Sequence, residues 1–203
     1  MSKSFVSSKN KEQKQLIRSI IENPVTIVTG PPGSGKTIVS IGIALEHLLR
    51  GNCDRVIISR PLVCTGKSLP ALPGDMKEKL QPYWMQAHQY IVDFLKTDAA
   101  KLEKEDKIQY LPLELMRGMN LRKTYLILTE AQNATYAQLK MLLTRIEDNE
   151  SRIILDGDLE QTDLRECELT RVIDKIQHLE EVGLVHLVES LRHPIVEKIA
   201  RLL

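Results

Sequence analysis

The sequence predicts an α/β protein in which helices cover both faces of a mostly parallel β-sheet. Along its 203 residues, stretches with the helical spacing of apolar side chains alternate with short runs rich in β-branched residues. This alternation is typical of parallel strands sandwiched by helices. The length is that of one α/β domain, so we interpret residues 1–203 as a single domain.

Apolar spacing predicts most of the elements. Residues 16–21 carry a helical stripe of Leu16, Ile17, Ile20 and Ile21. The apolar run Val25–Thr29 is typical of a buried strand, and a glycine-rich turn and a helix that continues to Leu49 follow it. Further strands are predicted at Arg55–Ser59, Ile108–Leu111, Tyr125–Thr129, Arg152–Leu155 and Leu184–Val188.

Three more segments complete the predicted organisation. Thr135 and Gln138 have the spacing of a capping box, and the helix they open has a predicted inward stripe of Leu139, Leu142, Leu143 and Ile146. A last helix is predicted to begin near Pro194. Residues 66–107 mix prolines and glycines with helical pieces, so we interpret them as an excursion from the sheet. The charged stretch KTDAAKLEKEDK within it is more typical of a solvated helix face than of a site.

Composition excludes several classes of protein. Apolar residues make up 42% of the chain and charged residues 27%, as in folded domains, and 28 Lys and Arg nearly balance 27 Asp and Glu. The chain therefore lacks the global field of a histone-like protein or a polybasic membrane binder. No apolar run approaches the ~20 residues of a membrane helix, and the start MSKSFVSSKNKEQ is too polar for a secretory signal. We expect a cytoplasmic protein without membrane contact.

The strongest functional signal is the octapeptide Gly30-Pro31-Pro32-Gly33-Ser34-Gly35-Lys36-Thr37, which fits the phosphate-loop pattern G-x-x-x-x-G-K-[ST] at every position. Backbone N–H groups of such a loop wrap a β-phosphate, and the following helix N-terminus adds partial positive charge. Lys36 would pair with the β- and γ-phosphates, and the Thr37 hydroxyl would ligate Mg²⁺. A glycine-rich turn that binds nothing is the alternative, which the flanking strand and helix make the weaker interpretation.

A carboxylate follows the predicted strand Tyr125–Thr129. Glu130 lies at the carboxyl edge of the sheet, where it can polarise water as a general base or contact a metal through water. The position before it usually holds the aspartate that anchors the Mg²⁺ shell, but here it is Thr129. Because a threonine hydroxyl brings no negative charge, we expect weaker Mg²⁺ binding and slow turnover.

Other polar residues are predicted to lie near the phosphates. Gln161 ends the turn Asp156-Gly157-Asp158-Leu159-Glu160-Gln161, and it can report whether a γ-phosphate is present; a plain polar turn is the alternative. The Gln13 amide can read an adenine edge with one donor and one acceptor. Arg192 can reach charge on a transferred phosphoryl group, although an exposed arginine near a helix end explains it equally well.

Together these motifs resemble the PhoH-like family of P-loop ATPases from Gln13 to Leu203. The resemblance rests on an ordered set: GPPGSGKT at Gly30–Thr37, SRPLV at Ser59–Val63, LPGDMKEKLQPY at Leu72–Tyr83, MRG at Met116–Gly118, EAQN at Glu130–Asn133, LTRI at Leu143–Ile146, GDLEQTD at Gly157–Asp163 and RHPIV at Arg192–Val196. It implies a RecA/helicase-like core related to the first motor domain of superfamily one helicases. Members of the family are taken to form hexameric rings.

The resemblance also implies roles for individual residues. ATP would be bound at Gly33–Thr37, adenine recognised by Gln13, water activated by Glu130, the γ-phosphate sensed by Gln161, and an arginine contributed by Arg192. Because one such domain cannot complete an interdomain ATP site, a neighbouring subunit would supply the arginine. Thr129 in place of the family's aspartate leaves nucleotide binding intact and puts hydrolysis in question. No segment here has the length of the RNA-binding or nuclease domain that some relatives carry, so RNA cleavage is not expected.

Two functions follow from these predictions. The first is an oligomeric ATPase that uses ATP and Mg²⁺ to remodel nucleic acid, either RNA or another single strand. The second is a nucleotide-gated assembly or regulatory module that binds ATP or ADP and hydrolyses little, with Thr129 as its main support. A small-molecule kinase shares the phosphate loop but explains neither GDLEQ nor RHPIV.

Overall fold

The computed structural model describes residues 5–62, 76–190 and 195. In this part of the chain six parallel strands form one sheet in the order β3-β2-β4-β5-β1-β6. The strands are β1 (Val25–Thr29), β2 (Arg55–Arg60), β3 (Ile108–Pro112), β4 (Thr124–Leu128), β5 (Arg152–Gly157) and β6 (Val182–His186). The helices are α1 (Lys11–Glu22), α2 (Lys36–Leu49), α3 (Met76–Leu95), α4 (Asp98–Lys104), α5 (Tyr136–Leu143) and α6 (Glu168–Ile176). The predicted α/β class is confirmed.

Both faces of the sheet are covered, which explains why its central strands are buried along their whole length. Every residue of β1 and β4 is buried, as expected for parallel strands with helices on both sides. Val28 and Ile127 point into a core shared with α1 to α4. Leu126 and Ile153 point into a second core shared with α5 and α6. The interpretation of residues 1–203 as one domain stays a prediction.

Ten of the fourteen residues of helix α2 are buried, and neighbouring segments pack closely against it. A Cβ atom at Gly42 would lie 2.1 Å from Val6 Cγ2 and 3.3 Å from the Phe94 ring. At the other end of the helix, the Glu46 carboxylate accepts the backbone N–H of Phe5 at 2.6 Å. These contacts fix the helix whose first turn carries Lys36 and Thr37.

Between β2 and β3 the chain leaves the sheet, and the described part of that segment forms α3 and α4, of which α3 packs against α2. In α4 Ala99 and Leu102 are buried, while the lysines around them face solvent, as expected of the charged stretch. Among the helices that the structure describes, none is long and apolar enough to cross a membrane.

Several predicted boundaries differ from the observed ones. Helix α5 ends at Leu143, so Ile146 does not extend its inward stripe but forms a bridge with Leu121. The Thr144 hydroxyl donates to the carbonyl groups of Lys140 and Met141 at 3.1 and 3.0 Å, and this bonding helps to close the last turn. Strand β6 begins two residues earlier than predicted, because Val182 pairs with Val25.

Two further differences concern helices. Helix α6 was not predicted, although Leu169, Val172, Ile173 and Ile176 give it an apolar stripe at helical spacing that is buried against the second core. The helix predicted near Pro194 falls on residues 191–203, of which the structure describes only Ile195.

The order of the strands decides which side chains meet. Carboxyl ends of parallel strands lie at one edge of a sheet, which is where ligands bind in this class of fold. Strand β5 lies between β1, which leads into the phosphate loop, and β4, which leads to Glu130. The end of β5 is therefore the central position of the edge.

Candidate nucleotide-binding site

The phosphate loop has backbone angles that glycine adopts readily. Gly30 has φ +144° and Gly35 has φ +95°. A Cβ atom at Gly30 would lie 2.2 Å from the carbonyl oxygen of Leu187, and one at Gly35 would lie 2.5 Å from Gln13 Nε2. The glycines therefore serve both the turn and its close packing. Helix α2 begins immediately after Gly35, as the sequence predicts.

Lys36 is folded over its own loop. Its ammonium group donates to the carbonyl oxygens of Gly30 at 2.7 Å and Pro31 at 3.1 Å. The Ser34 hydroxyl donates to the same Pro31 carbonyl at 2.8 Å. A bound phosphate would offer the ammonium group charged oxygens in place of these neutral ones, which are the weaker acceptors.

Asp156 lies next to the first turn of α2. The Thr37 hydroxyl donates to Asp156 Oδ2, and Asp156 is 3% exposed. Burial raises the pKa of the Asp156 carboxyl to about 6, while the charge of Lys36 and the Thr37 hydrogen bond act in the opposite direction and the charge of Glu130 adds to the rise. The sequence predicts Asp156 only as part of a polar turn.

Glu130 is held in a left-handed backbone conformation, with φ 54° and ψ 41°. Its Oε2 accepts a hydrogen bond from Gln132 Nε2 at 2.7 Å. The same Gln132 nitrogen donates to the Gln161 carbonyl at 3.1 Å, and Gln132 Oε1 accepts the backbone N–H of Asp158 at 3.0 Å. Gln132, which is buried, thus connects the EAQN segment to the GDLEQTD segment.

A second side chain reinforces this connection. Asn133 Nδ2 donates to Asp163 Oδ2 at 3.0 Å, and Asn133 Oδ1 accepts the backbone N–H of Asp163 at 2.7 Å. Sequence reasoning assigned no role to Gln132 or Asn133. The signal that the sequence offers is the pair of amide residues a short distance after the candidate base Glu130.

The Thr129 side chain does not add to the polar surface of the site. Its hydroxyl donates to the carbonyl oxygen of Ser59 at 3.2 Å, beside the backbone bond from Thr129 to the same oxygen at 2.9 Å. The hydroxyl is therefore used within the sheet edge, between β4 and β2.

Gln13 and Arg192 differ in what the structure shows of them. The Gln13 side chain donates to the Ser34 carbonyl at 3.0 Å and accepts the backbone N–H of Lys9 at 2.9 Å. It is 2% exposed, so adenine recognition would require the exchange of these bonds, and that role stays a prediction. Arg192 lies outside the described residues.

A cavity of about 530 Å³ opens at this edge of the sheet. Predicted site residues that line it are Pro32, Gly33, Gly35, Lys36, Thr37, Glu130 and Gln161. Asp156 also lines it, at the edge where the sequence predicts the polar groups of the Asp156–Gln161 turn to emerge, whereas Gln86 and Tyr90 of α3 were not predicted to line it. Gly30, Pro31, Ser34 and Gln13 are not part of this lining, and they hold the loop in place through the hydrogen bonds described above.

The donor groups in the cavity fit Mg²⁺. This ion prefers oxygen ligands and is usually held by one or two carboxylates or hydroxyls together with substrate phosphates. The Thr37 hydroxyl, Asp156 and Glu130 supply such oxygens. Within the described residues no three His, Cys, Asp or Glu side chains are grouped to hold a metal by themselves.

Comparison with known proteins decides the family. Residues 5–203 match the family model described as PhoH-like protein. The chain belongs to the PhoH-like family. It is 36% identical to the PhoH-like protein of Synechocystis sp. over 201 residues, which cover 96% of this chain and 61% of that protein. It is 35% identical to the PhoH-like protein of Bacillus subtilis over 193 residues, 92% of this chain and 60% of the relative. The chain thus spans about three fifths of the length of these relatives.

Solved structures extend the comparison to the fold. The Hef helicase domain of Pyrococcus furiosus has a TM-score of 0.52 at 13% identity, covering 86% of this PhoH-like chain and 37% of that chain. The large terminase of a thermophilic bacteriophage has a TM-score of 0.54 at 12% identity, covering 97% and 51%. At such identities the likeness concerns the fold alone. The predicted helicase-like P-loop NTPase core is confirmed.

Proposed function

We propose that this PhoH-like chain hydrolyses ATP with Mg²⁺ as part of an oligomeric ring that acts on RNA or another single-stranded nucleic acid. The observation that carries the proposal is the grouping of Lys36, Thr37, Glu130 and Gln161 around one cavity. A phosphate-binding cation, a metal-ligating hydroxyl, a carboxylate and an amide are the groups that phosphoryl transfer to water requires.

Each side chain has a role that its position allows. The Lys36 ammonium group would exchange its loop carbonyls for the β- and γ-phosphate oxygens. The Glu130 carboxylate would orient water and accept its proton. Gln161 would bond a γ-phosphate oxygen or the water, and Gln13 would contact the adenine. Mg²⁺, held by the Thr37 hydroxyl, supplies charge neutralisation at the phosphates when bound.

The ring is proposed because the site needs a further cation. Transition states of phosphoryl transfer are commonly stabilised by an arginine that a neighbouring domain or subunit supplies. Arg192 of a neighbouring subunit is our candidate, and a hexamer is the assembly that the family resemblance favours. The cytoplasmic location also stays a prediction.

Hydrolysis is tested by phosphate release from ATP and Mg²⁺, with nucleotide binding measured separately by calorimetry. Glu130→Gln should lower turnover about 100-fold or more, since general base catalysis contributes 10²–10⁴-fold, and should leave ADP affinity unchanged. Glu160→Gln, which changes an exposed carboxylate of the neighbouring turn, is the matched control. Absence of any nucleotide binding would overturn the proposal. Binding without measurable turnover in the unmodified protein would favour the nucleotide-gated module instead.

The shared site is tested by mixing two inactive variants. Glu130→Gln and Arg192→Ala subunits should each lose turnover alone. In a ring assembled from both, about a quarter of the sites would combine an intact Glu130 with an intact Arg192 from the neighbour. Light scattering with and without ATP and Mg²⁺ gives the number of subunits. Failure of the mixed ring to recover activity would remove the shared arginine from the proposal.

Nucleic-acid binding is tested by fluorescence polarisation with a single-stranded RNA at several salt concentrations. The net charge is only +1, so the contact must be a local basic surface. Affinity should fall as salt rises, because neutralised phosphates release counterions. No binding at low salt would remove nucleic acid from the proposed function while leaving ATP hydrolysis in place.

A further inference from the structure

We propose that Asp156 is the anionic anchor of the magnesium shell, so that this role lies on β5 instead of at the Thr129 position that follows β4. The inference rests on the proposed function, because it names the residue through which the same site would hold a metal nucleotide.

Strand register places Asp156 beside Thr129. In the pairing of β4 with β5, Leu128 lies opposite Leu155. The next residues along the chain are Thr129, just after the end of β4, and Asp156, within β5. Adjacent strands are ~4.8 Å apart. The carboxylate that is missing at Thr129 can therefore be replaced by that of Asp156. Asp156 lies at the same height in the sheet but one strand nearer to the phosphate loop.

The contact between Asp156 and Thr37 connects the Asp156 carboxylate to the hydroxyl that would ligate Mg²⁺. Thr37 carries the hydroxyl that would ligate Mg²⁺, and this hydroxyl donates its proton to Asp156 Oδ2. An oxygen whose proton is held by a carboxylate directs its lone pairs elsewhere and becomes a better ligand, as is known for metal ligands supported by an outer carboxylate. Asp156 would also accept hydrogen bonds from metal-bound water.

The surroundings of Asp156 favour a cation. The residue is 3% exposed and lines the cavity together with Lys36 and Glu130. A buried carboxylate is costly unless a positive charge or hydrogen-bond donors compensate it. Glu130 is engaged by Gln132 at 2.7 Å, and the Thr129 hydroxyl by Ser59. Asp156 therefore has both the charge and the position that the anchor needs, and the expectation of weak Mg²⁺ binding from Thr129 no longer follows.

The test measures metal-dependent binding of ADP, which needs no turnover. Calorimetry with Mg²⁺ and with EDTA gives the factor by which the metal tightens ADP binding, and Mn²⁺ titration followed by electron paramagnetic resonance gives metal affinity directly. Asp156→Asn keeps the size of the side chain and an acceptor for Thr37 but removes the charge. It should lower metal affinity about tenfold or more, with ADP affinity in EDTA unchanged. Asp174→Asn, on the exposed side of α6, is the matched control.

Substitution at Thr129 provides an independent test. Thr129→Asp added to Asp156→Asn should restore metal affinity, because the charge returns one strand away. Thr129→Asp alone should change it less than about threefold, since the anchor is already present. A gain of tenfold from Thr129→Asp alone would overturn the inference even if Asp156→Asn fails to fold.

The failure of this inference and the failure of the proposed function can be told apart. If ADP binds and Mg²⁺ tightens it equally in the unmodified protein and in Asp156→Asn, Asp156 is only a partner of Thr37 and the inference is wrong. If ADP does not bind in either Mg²⁺ or EDTA, the proposed function is wrong.

Discussion

Gln132 Nε2 donates to Glu130 Oε2 at 2.7 Å, and this bond joins the candidate base to the turn that carries Gln161. Gln132 is 1% exposed, and both ends of its amide are engaged, so its orientation is fixed. A movement of the Asp158–Gln161 turn would therefore shift Gln132 and, through it, the position of the Glu130 carboxylate. We interpret Gln132 as a positioning residue.

Gln132→Met should lower kcat about tenfold while leaving KM for ATP and ADP affinity nearly unchanged. The apolar side chain retains the volume but no longer orients the Glu130 carboxylate, and misplacement of a catalytic group reduces the rate of the chemical step. Steady-state kinetics separate the two constants. Gln177→Met, at the exposed end of α6, is the control, and a rise in KM at constant kcat for Gln132→Met would contradict the positioning role.

The backbone conformation of Glu130 predicts that this catalytic candidate lowers the stability of the fold. Its φ of 54° lies in the left-handed region, where a residue other than glycine costs roughly 1–2 kcal/mol. Glu130→Gly and Glu130→Ala both remove the carboxylate, but only glycine removes the strain. The glycine variant should be more stable than the alanine variant by about 1 kcal/mol in urea unfolding. The opposite order, which is usual inside helices, would show that the strain is absent in solution.

The sequence predicted the parts of the site that depend on local pattern. The phosphate loop was found because its glycines, its lysine and the flanking apolar run are contiguous, and Glu130 because it follows an apolar strand. Gln161 was predicted at the same edge from its place after β5, and it does line the cavity with them. These inferences needed only the rule that parallel strands end on one side.

The importance of Asp156 could not be predicted in the same way. The position of Asp156 beside both Thr37 and Glu130 depends on β5 lying between β1 and β4. That strand order is not encoded in any short segment. Gln132 is a similar case, since its partners are 2 and 29 residues away. The end of α5 was misplaced because Ile146 continues the apolar spacing, while its bridge to Leu121 is a tertiary contact.

Gly30 and Gly51 allow steric conflict to be separated from backbone strain. Both have positive φ, +144° and +73°, but a Cβ atom would meet the Leu187 carbonyl at 2.2 Å in the first and nothing within 4 Å in the second. Leu187 cannot retreat easily, because its N–H donates to Thr29 at 2.8 Å.

Gly30→Ala should therefore lower the free energy of unfolding by about 2–4 kcal/mol, and Gly51→Ala by about 1 kcal/mol. Chemical denaturation of the two variants beside the unmodified protein measures both values. ADP affinity should fall only for Gly30→Ala, since Gly51 is remote from the cavity. Equal losses of stability in the two variants would mean that the loop relaxes away from Leu187.

His47 predicts a pH dependence of stability. Its Nδ1 lies 2.8 Å from the Tyr125 hydroxyl, and burial, with the charges of Arg50 and Arg152, lowers the pKa of the imidazole below 6.5. Above pH 6.5 the ring is neutral in both the folded and the unfolded chain, so its contribution to stability is fully present. As the pH falls below 6.5, the unfolded chain takes up a proton before the folded one does, and that contribution is lost progressively through the folded pKa.

Urea unfolding of the unmodified protein and His47→Gln between pH 5 and 8 isolates this effect, because the other titrating groups are common to both and cancel in the difference. The stability of the unmodified protein relative to His47→Gln should be greatest above pH 6.5 and should shrink as the solution becomes more acidic. His178→Gln, which changes an exposed histidine, is the control for removal of an imidazole side chain. If the His47→Gln difference does not vary with pH, the ring is not held neutral by burial, and its hydrogen bond to Tyr125 does not depend on that protonation state.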